Sequence, residues 1–120
     1  MSFHPLMIYD RQRFQQSERR LVEEGPPFTF TAERRAALDD LLTKYPPDRK
    51  RSAVLAALYL LQEQQGYLTA SGMRHVAGIL ELTPAEVEDV ATYYVMFFKE
   101  KVGKYVLQVC RTLSCALAGA

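Results

Sequence analysis

The chain has 120 residues, of which 48% are hydrophobic and 24% are charged, so it can bury one real core but not two large ones. Its 15 basic and 14 acidic side chains give a formal net charge of +1, which argues against a protein whose whole surface attracts nucleic acid or an anionic membrane. The start MSFHPLMIYDRQ lacks an apolar core of secretory length, and no run of about 18 uncharged apolar residues occurs. We therefore expect a cytoplasmic protein with no direct membrane insertion.

Residues 1–30 are predicted to form an extended N-terminal arm. They show no sustained hydrophobic period, and the Gly-Pro-Pro cluster in EEGPPFTF stops any helix. Arginines near the start would suit an organelle transit peptide, but Asp10 and Glu18 fit that interpretation poorly. The arm is either a solvated extension or a strap that docks on a partner through Phe3, Leu6, Ile8 and Phe28.

Residues 31–100 are predicted to form a helical bundle of about four helices. The first helix follows a hydroxyl cap at Thr31 and stops at Pro46. The second runs from about Asp48 to Gly66, which releases the chain. Its three opening cations, residues 49–51, form either a solvated face or a contact with an acidic partner surface. The inward side chains of these two helices are predicted to be Leu38, Leu41, Leu42, Tyr45, Val54, Leu55, Leu58 and Leu61.

The third and fourth predicted helices lie in TASGMRHVAGIL and LTPAEVEDVATYYVMFF. His75 has no companion histidine or cysteine at ligand spacing, so it is interpreted as a surface or core-edge residue. Thr83 is a cap, Pro84 takes the first helical position and Glu86 completes a capping box, and we expect this helix to run to about Phe98. Its aromatic residues are more than one buried face of a helix can hold, so some are expected to face a second domain or subunit. These residues are Tyr93, Tyr94, Phe97 and Phe98.

The same two helices have the order of a helix-turn-helix motif: a short helix, a tight turn and a capped second helix. A DNA-binding module is therefore an alternative function. A recognition helix presents arginine, lysine and amides to phosphates and base edges. Here the exposed side of the second helix would carry Glu86, Glu88 and Asp89, which phosphates repel. We therefore expect no nucleic-acid partner.

After Gly103 the sequence changes from a helical pattern to one typical of a strand. The run KYVLQVC, residues 104–110, is rich in β-branched and aromatic side chains and predicts a buried strand. The loop RTLS follows, and CALAGA resembles the start of a small-residue helix. A lone strand leaves its backbone donors and acceptors unpaired. We expect its partners either from another chain or from a longer polypeptide of which this sequence is the N-terminal portion.

Cys110 and Cys115 are the only cysteines of the sequence, and they flank the loop in a C-x4-C spacing. Thiolates ligate iron-sulfur clusters, and the same gap occurs at one edge of plant-type 2Fe-2S sites. A helix start at Cys115 would favour a thiolate, with the hydroxyls of Thr112 and Ser114 close by. A redox dithiol or disulfide and a pair of inert buried cysteines are the alternatives, and spacing alone leaves all three open.

Three longer stretches carry a resemblance to a known family. KYPPDRKRSAVLAALYLLQEQQGYLT, LELTPAEVEDVATYYVMF and GKYVLQVCRTLSCALAGA resemble the small 2Fe-2S subunit of respiratory NADH:quinone oxidoreductase, complex I, from about residue 28 to residue 120. The PP turn, the L-T-P-x-E-V cap, the G-K-Y strand and the V-C-x4-C loop occur in the family's order. The module is also found in NAD-linked hydrogenases and formate dehydrogenases.

The resemblance implies an α+β fold, in which the helical bundle precedes a thioredoxin-like domain that holds one 2Fe-2S cluster through four cysteines. Cys110 and Cys115 match the first two ligands. The family's second pair, a downstream C-x3-C, has no counterpart here, so two further cysteine ligands are expected outside this chain. Residues 103–120 would then be the first strand and cluster loop of a truncated domain.

The resemblance also implies a function. The chain would be an electron-carrier subunit of an NADH-oxidising enzyme, with no catalytic residue of its own. Its partners would be the flavoprotein subunit that binds FMN and NADH and other peripheral-arm subunits. The complex would place it at the cytoplasmic face of the inner membrane rather than in a mitochondrial matrix. The alternatives are the equivalent subunit of a hydrogenase or formate dehydrogenase, and a non-redox helical assembly module.

Overall fold

The computed structural model describes residues 22–110 and 112–119. The chain divides into two compact units, one spanning Val22–Val102 and the other including Gly103–Ala120. Most of the predicted arm lies outside the described residues, including Phe3, Leu6 and Ile8. None of the helices in the described parts of the chain has the length and apolar character needed to cross a bilayer.

The first unit contains the four predicted helices, although two of them differ in extent. Helix α1 spans Ala32–Leu42, α2 spans Val54–Gln65, α3 spans Ala70–Leu80 and α4 spans Pro84–Tyr93. A 3₁₀ segment over Pro47–Ala53 precedes α2. Gly66 ends α2 with a φ of 88°, a left-handed conformation that glycine adopts without a steric penalty.

The predicted start of the second helix was wrong. The α-helix begins at Val54 rather than near Asp48, because residues 47–53 form the 3₁₀ segment and Arg49 has a φ of −124° and a ψ of 31°. Proline is compatible with the first position of a helix, but the non-helical backbone of Arg49 interrupts the hydrogen-bond ladder, so the regular α-helix begins only after it. The next two cations are paired within the chain, Lys50 with Glu81 at 3.2 Å and Arg51 with Glu86 at 3.3 Å.

The fourth helix is shorter than predicted, because it ends at Tyr93 rather than near Phe98. Tyr94 already has an extended backbone, with a φ of −94° and a ψ of 121°. The turn that follows buries Phe97, which is only 5% exposed, against the ring of Tyr59 at 5.1 Å. The aromatic residues predicted to exceed one helix face therefore lie in two environments: Phe97 is in the core, whereas Tyr93 is 79% exposed.

One hydrophobic core holds the four helices together. Helix α2 contacts each of the other three helices and the 3₁₀ segment. Thr69 is the fully buried polar residue next to this core, and its hydroxyl caps α3 by accepting the N–H of Gly72. The buried apolar side chains are Leu38, Ala53, Val54, Ala57, Leu58, Leu61, Leu68, Met73, Val76, Ala77, Leu80, Val87, Ala91 and Phe97.

Residues 22–31 form a strap that packs on the start of α3. Ala70 N–H donates to the carbonyl of Glu23 at 2.8 Å, and the Ser71 hydroxyl donates to the carbonyl of Pro26 at 2.6 Å. Gly25 has a φ of +69°, and a Cβ there would lie 2.6 Å from Thr69 Cγ2. The close approach therefore requires glycine.

His75 is a core-edge residue, as its lack of ligand companions predicts. Its ring contacts Phe28 at 5.7 Å and Phe30 at 5.4 Å, and its Nε2 accepts the Phe30 N–H at 3.5 Å. Burial, and then the charge of Arg35, lower the pKa of His75, which favours the neutral ring that accepts this bond. Phe28 therefore packs on its own chain, so this part of the predicted arm is neither solvated throughout nor free of the helical bundle.

The capping box of α4 is formed as predicted. Thr83 Oγ1 accepts the Glu86 N–H at 3.3 Å, and Glu86 Oε2 accepts the Thr83 N–H at 2.9 Å. The backbone of Thr83, its hydroxyl and the charge of Arg51 lower the pKa of Glu86. The ionised carboxylate is therefore the form that the folded start of α4 prefers.

We expect Glu86→Gln to make the protein less sensitive to acid. The pKa of Glu86 in the folded state lies below its ordinary value of 4.5. Ionised Glu86 therefore stabilises the fold above pH 4.5. This contribution is lost as the pH falls from 4.5 through the lowered folded-state pKa. The fall in melting temperature between about pH 7 and about pH 3 should be smaller in Glu86→Gln than in wild type. Glu88→Gln, an exposed residue of the same helix, is the control and should retain the wild-type acid response.

The predicted strand over residues 104–110 is not formed. Among the described residues, no backbone ladder pairs with this segment, and its apolar side chains face solvent, with Tyr105 79%, Leu107 91% and Val109 74% exposed. A strand needs a neighbouring strand to satisfy its backbone groups and to cover its apolar faces. The extended segment therefore has the composition of a buried strand without the partners that would bury it.

Candidate functional site

The two cysteines lie on either side of a helix start in the second unit. Cys110 ends the extended segment, and Cys115 is the third residue of α5, which spans Leu113–Leu117. The predicted small-residue helix therefore begins two residues earlier than CALAGA. Both thiols are free, with Cys110 exposed and Cys115 half-buried.

A hydroxyl next to Cys110 shapes the electrostatics of the site. The Cys110 Sγ lies 3.1 Å from Thr112 Oγ1. Hydrogen bonds from the Thr112 hydroxyl, from Cys115 and from the Thr112 backbone N–H lower the pKa of Cys110 to about 7. All three contacts stabilise negative charge on the sulfur, so a substantial fraction of Cys110 is thiolate near neutral pH.

Of the two hydroxyls predicted to lie near the sulfurs, the structure brings only one to them. Thr112 contacts Cys110 and does not cap α5 with its side chain, although it occupies the N-cap position. Within residues 22–110 and 112–119, no hydrogen bond joins the exposed Ser114 hydroxyl to either sulfur. Among the hydroxyls of the described residues, Thr112 therefore supports a charged sulfur at Cys110.

The two thiols fit half of a cysteine-ligated cluster site. Both are free, and the hydrogen bonds from Thr112 and Cys115 lower the pKa of Cys110, which favours the thiolate that binds iron. In the described parts of the chain, no group of three or more histidine, cysteine or acidic side chains could hold a metal ion. A site of four thiolates would therefore need two sulfurs from beyond these residues.

Comparison with known proteins identifies the class. The model of the thioredoxin-like [2Fe-2S] ferredoxin family matches residues 38–120, and the chain belongs to this family. The resemblance found in the sequence is thereby confirmed. The helical first unit contributes part of the match, since the matched region begins in α1.

Individual relatives point to one kind of complex. The chain is 43% identical over 94 residues to an NADH-quinone oxidoreductase subunit of Rickettsia felis, covering 78% of this chain and 56% of that protein. It is 37% identical over 91 residues to NADH-quinone oxidoreductase subunit 2 of Thermus thermophilus, covering 76% of this chain and 50% of that protein. The corresponding NADH-quinone oxidoreductase subunit of Rickettsia bellii is 40% identical over 94 residues, with coverages of 78% and 56%. The chain spans about half the length of the curated relatives it matches.

Proposed function

We propose that this chain is part of an electron-transfer subunit of NADH-quinone oxidoreductase, and that Cys110 and Cys115 supply two of the four ligands of a 2Fe-2S cluster. The observation that carries the proposal is the C-x4-C thiol pair, in which Thr112 lies 3.1 Å from Cys110, inside a region that matches a [2Fe-2S] ferredoxin family. When bound, such a cluster takes up and releases single electrons.

Each residue of the loop has a defined part in this proposal. Cys110 and Cys115 bind iron as thiolates. The hydroxyl and N–H of Thr112 donate toward the Cys110 sulfur, and hydrogen bonds of this kind stabilise added negative charge and raise the reduction potential of a cluster. The chain itself transfers no hydride, and no acid, base or nucleophile is assigned to it.

The proposed organisation follows from the same residues. Residues 1–30 would be the arm, 31–100 the helical bundle, and 103–120 the first strand and cluster loop of a thioredoxin-like domain. Exposed apolar side chains at Tyr105, Leu107 and Val109 support this, because a strand with the partners of a complete sheet would bury them. The remaining strands and two further cysteines would come from sequence beyond this chain.

The proposed partners are a flavoprotein subunit that binds FMN and NADH and other peripheral subunits of the complex. The complex would hold the chain at the cytoplasmic face of the inner membrane. The relatives named as NADH-quinone oxidoreductase subunits support this assignment over a hydrogenase or formate dehydrogenase. We therefore expect the complex to pass electrons to quinone. A hydrogenase would instead exchange them with protons, and a formate dehydrogenase would take them from formate.

A second candidate function is a helical assembly module in which the cysteines are incidental. The exposure of Tyr93 at 79% and of Val95 at 83% favours a contact surface on the first unit. This alternative predicts that the cysteines can be replaced without effect on electron flow. It would be abandoned if a cysteine variant assembled normally but carried no electrons.

The proposed function is tested by spectroscopy on the chain expressed with any coding sequence that follows it. After reduction, we expect the electron paramagnetic resonance signal of one 2Fe-2S cluster, with two irons and two labile sulfides per chain. A protein that is colourless after iron-sulfur reconstitution and binds zinc instead would contradict the proposal.

A further inference from the structure

The outer face of α4 ends in exposed aromatic and apolar side chains. Tyr93, the last residue of the helix, is 79% exposed, and Val95 in the segment that follows is 83% exposed. The ring of Tyr93 meets Tyr94 edge-on at 5.0 Å, and Tyr94 continues to the buried Phe97 at 6.4 Å. Neighbouring rings that lead into the core therefore support Tyr93, while most of its surface faces solvent.

Val95 lies in a segment whose backbone is held in place. The Gln62 Nε2 donates to the carbonyl of Met96 at 3.0 Å, and its Oε1 accepts the N–H of Phe98 at 2.8 Å. Leu68 N–H donates to the carbonyl of the same Phe98 at 2.6 Å. Side chains on a fixed backbone lose little conformational freedom when a partner covers them. The exposed surface around Tyr93 and Val95 is thus already in place before any partner binds.

Two carboxylates precede Tyr93 on α4, and the described residues leave both without a partner. Glu88 and Asp89 are exposed, and neither makes a hydrogen bond or an ion pair in the parts of the chain that the structure describes. The Lys99 Nζ approaches this face, but it lies 3.5 Å from Thr92 Oγ1 rather than within ion-pair distance of a carboxylate. A basic group from elsewhere can therefore still pair with them.

The charge balance of the first unit indicates the sign of the partner. Residues 22–102 carry 12 acidic and 9 basic side chains. Six of these cations already form ion pairs with acidic residues of the same unit. Exposed carboxylates next to exposed apolar surface are therefore complementary to a segment that carries a positive charge and an apolar side chain together.

Helix geometry brings Asp89, rather than Glu88, next to the aromatic ring. Residues four positions apart lie on one face of a helix, about 5–6 Å apart at their Cβ atoms, so Asp89 and Tyr93 are neighbours. Successive residues are rotated by about 100°, so the two carboxylates do not converge on one metal ion. A guanidinium can stack on a tyrosine ring and use its planar fork of N–H groups to pair with a carboxylate beside it. An ammonium lacks this plane, and an apolar side chain would leave Asp89 unpaired.

We propose that Asp89, Tyr93 and Val95 form a docking surface for an arginine-bearing segment of a partner subunit. The guanidinium of that arginine stacks on the ring of Tyr93 and pairs with the carboxylate of Asp89, and an apolar neighbour of the arginine covers Val95. Which complex supplies the partner rests on the proposed function. The chemistry of the contact rests only on the three side chains.

The test begins with photo-crosslinking of the full-length protein in the complex that it forms in its own cells. Val95 is replaced by p-benzoylphenylalanine, the isolated membranes are irradiated, and the crosslinked peptide is sequenced by mass spectrometry. We expect one main adduct, with a different subunit, at a position next to or within one turn of an arginine. The absence of an adduct, an adduct with this chain itself, or an adduct with a segment that lacks arginine would overturn the inference.

Binding of the full-length protein to the crosslinked subunit then separates an arginine contact from a merely apolar one. We expect Tyr93→Leu and Asp89→Asn each to weaken binding about tenfold, whereas Tyr93→Phe keeps a ring, Asp89→Glu keeps a charge, and both should bind like wild type. The dependence of the dissociation constant on salt should also be smaller in Asp89→Asn.

Glu33→Gln is the matched control. Glu33 is an exposed carboxylate of α1, which packs on α2 and the 3₁₀ segment instead of α4, so this variant should bind like wild type. Equal affinity in Tyr93→Leu and Tyr93→Phe, or wild-type affinity in Asp89→Asn, would show an apolar contact without arginine and contradict the inference. If these results hold but the full-length protein carries no 2Fe-2S cluster, the proposed function fails and the docking surface stands.

Discussion

Replacing either Cys110 or Cys115 with serine is expected to reduce the 2Fe-2S signal of the full-length protein to background. A serine hydroxyl is not ionised near neutral pH and is a poor substitute for the thiolate that the cluster requires. The measurements are the resonance signal after reduction and the iron and labile sulfide per chain.

Ser114→Ala is the matched control for this experiment. Ser114 lies between the two cysteines in the sequence, but its exposed hydroxyl makes no hydrogen bond to either sulfur within the described residues. We expect this variant to retain the full signal. Circular dichroism of all variants should show the helical content of wild type, because the helical core lies in residues 22–102 and contains neither cysteine. A full signal in either cysteine variant would show that other residues hold the cluster.

The starts of α1 and α4 could be predicted from the sequence because their determinants are local. Thr83, Pro84 and Glu86 lie within four residues of one another, and the capping box that they define is present as expected. The cap at Thr31 is equally local, and its hydroxyl accepts the Arg34 N–H. Such contacts depend on short-range backbone geometry, which a single sequence contains.

The end of α4 could not be predicted in the same way, unlike the end of α2, which Gly66 marks locally. Helix α4 ends at Tyr93 because the following segment bonds to Gln62 and buries Phe97. Nothing local marks Gln62 as an anchor, since a polar residue near the end of an amphipathic helix is usually solvated. Its partner is chosen by tertiary packing. The same limitation applies to Gln64, whose bonds to the strap also cross more than 30 positions.

The candidate site was predictable in its residues but only partly in its geometry. The C-x4-C spacing singled out both cysteines, and the structure adds that Thr112, rather than Ser114, contacts a sulfur. The strand before the loop illustrates a different limit. Its composition predicts a buried strand, yet a strand is a property of a pair of segments, and no described residue pairs with this one.

Leu58→Ala is expected to destabilise the helical bundle by about 2–5 kcal/mol. Leu58 is 0% exposed and lies in α2, the helix that contacts all three others. Truncation removes buried methyl groups and leaves a cavity, because rigid helices on several sides cannot collapse into the space. A loss of this size is a large share of the roughly 5–15 kcal/mol that stabilises a typical domain.

Urea unfolding followed by circular dichroism measures this loss, with Val95→Ala as the control. Val95 is 83% exposed, so its truncation should change the free energy of unfolding by less than about 0.5 kcal/mol. Because α2 also carries Gln62 and Gln64, loosening it should speed hydrogen exchange at both Phe98 and Thr31. Selective exchange at only one of these amides would mean that the segments bonded to Gln62 and Gln64 open independently, and that the core around Leu58 does not couple them.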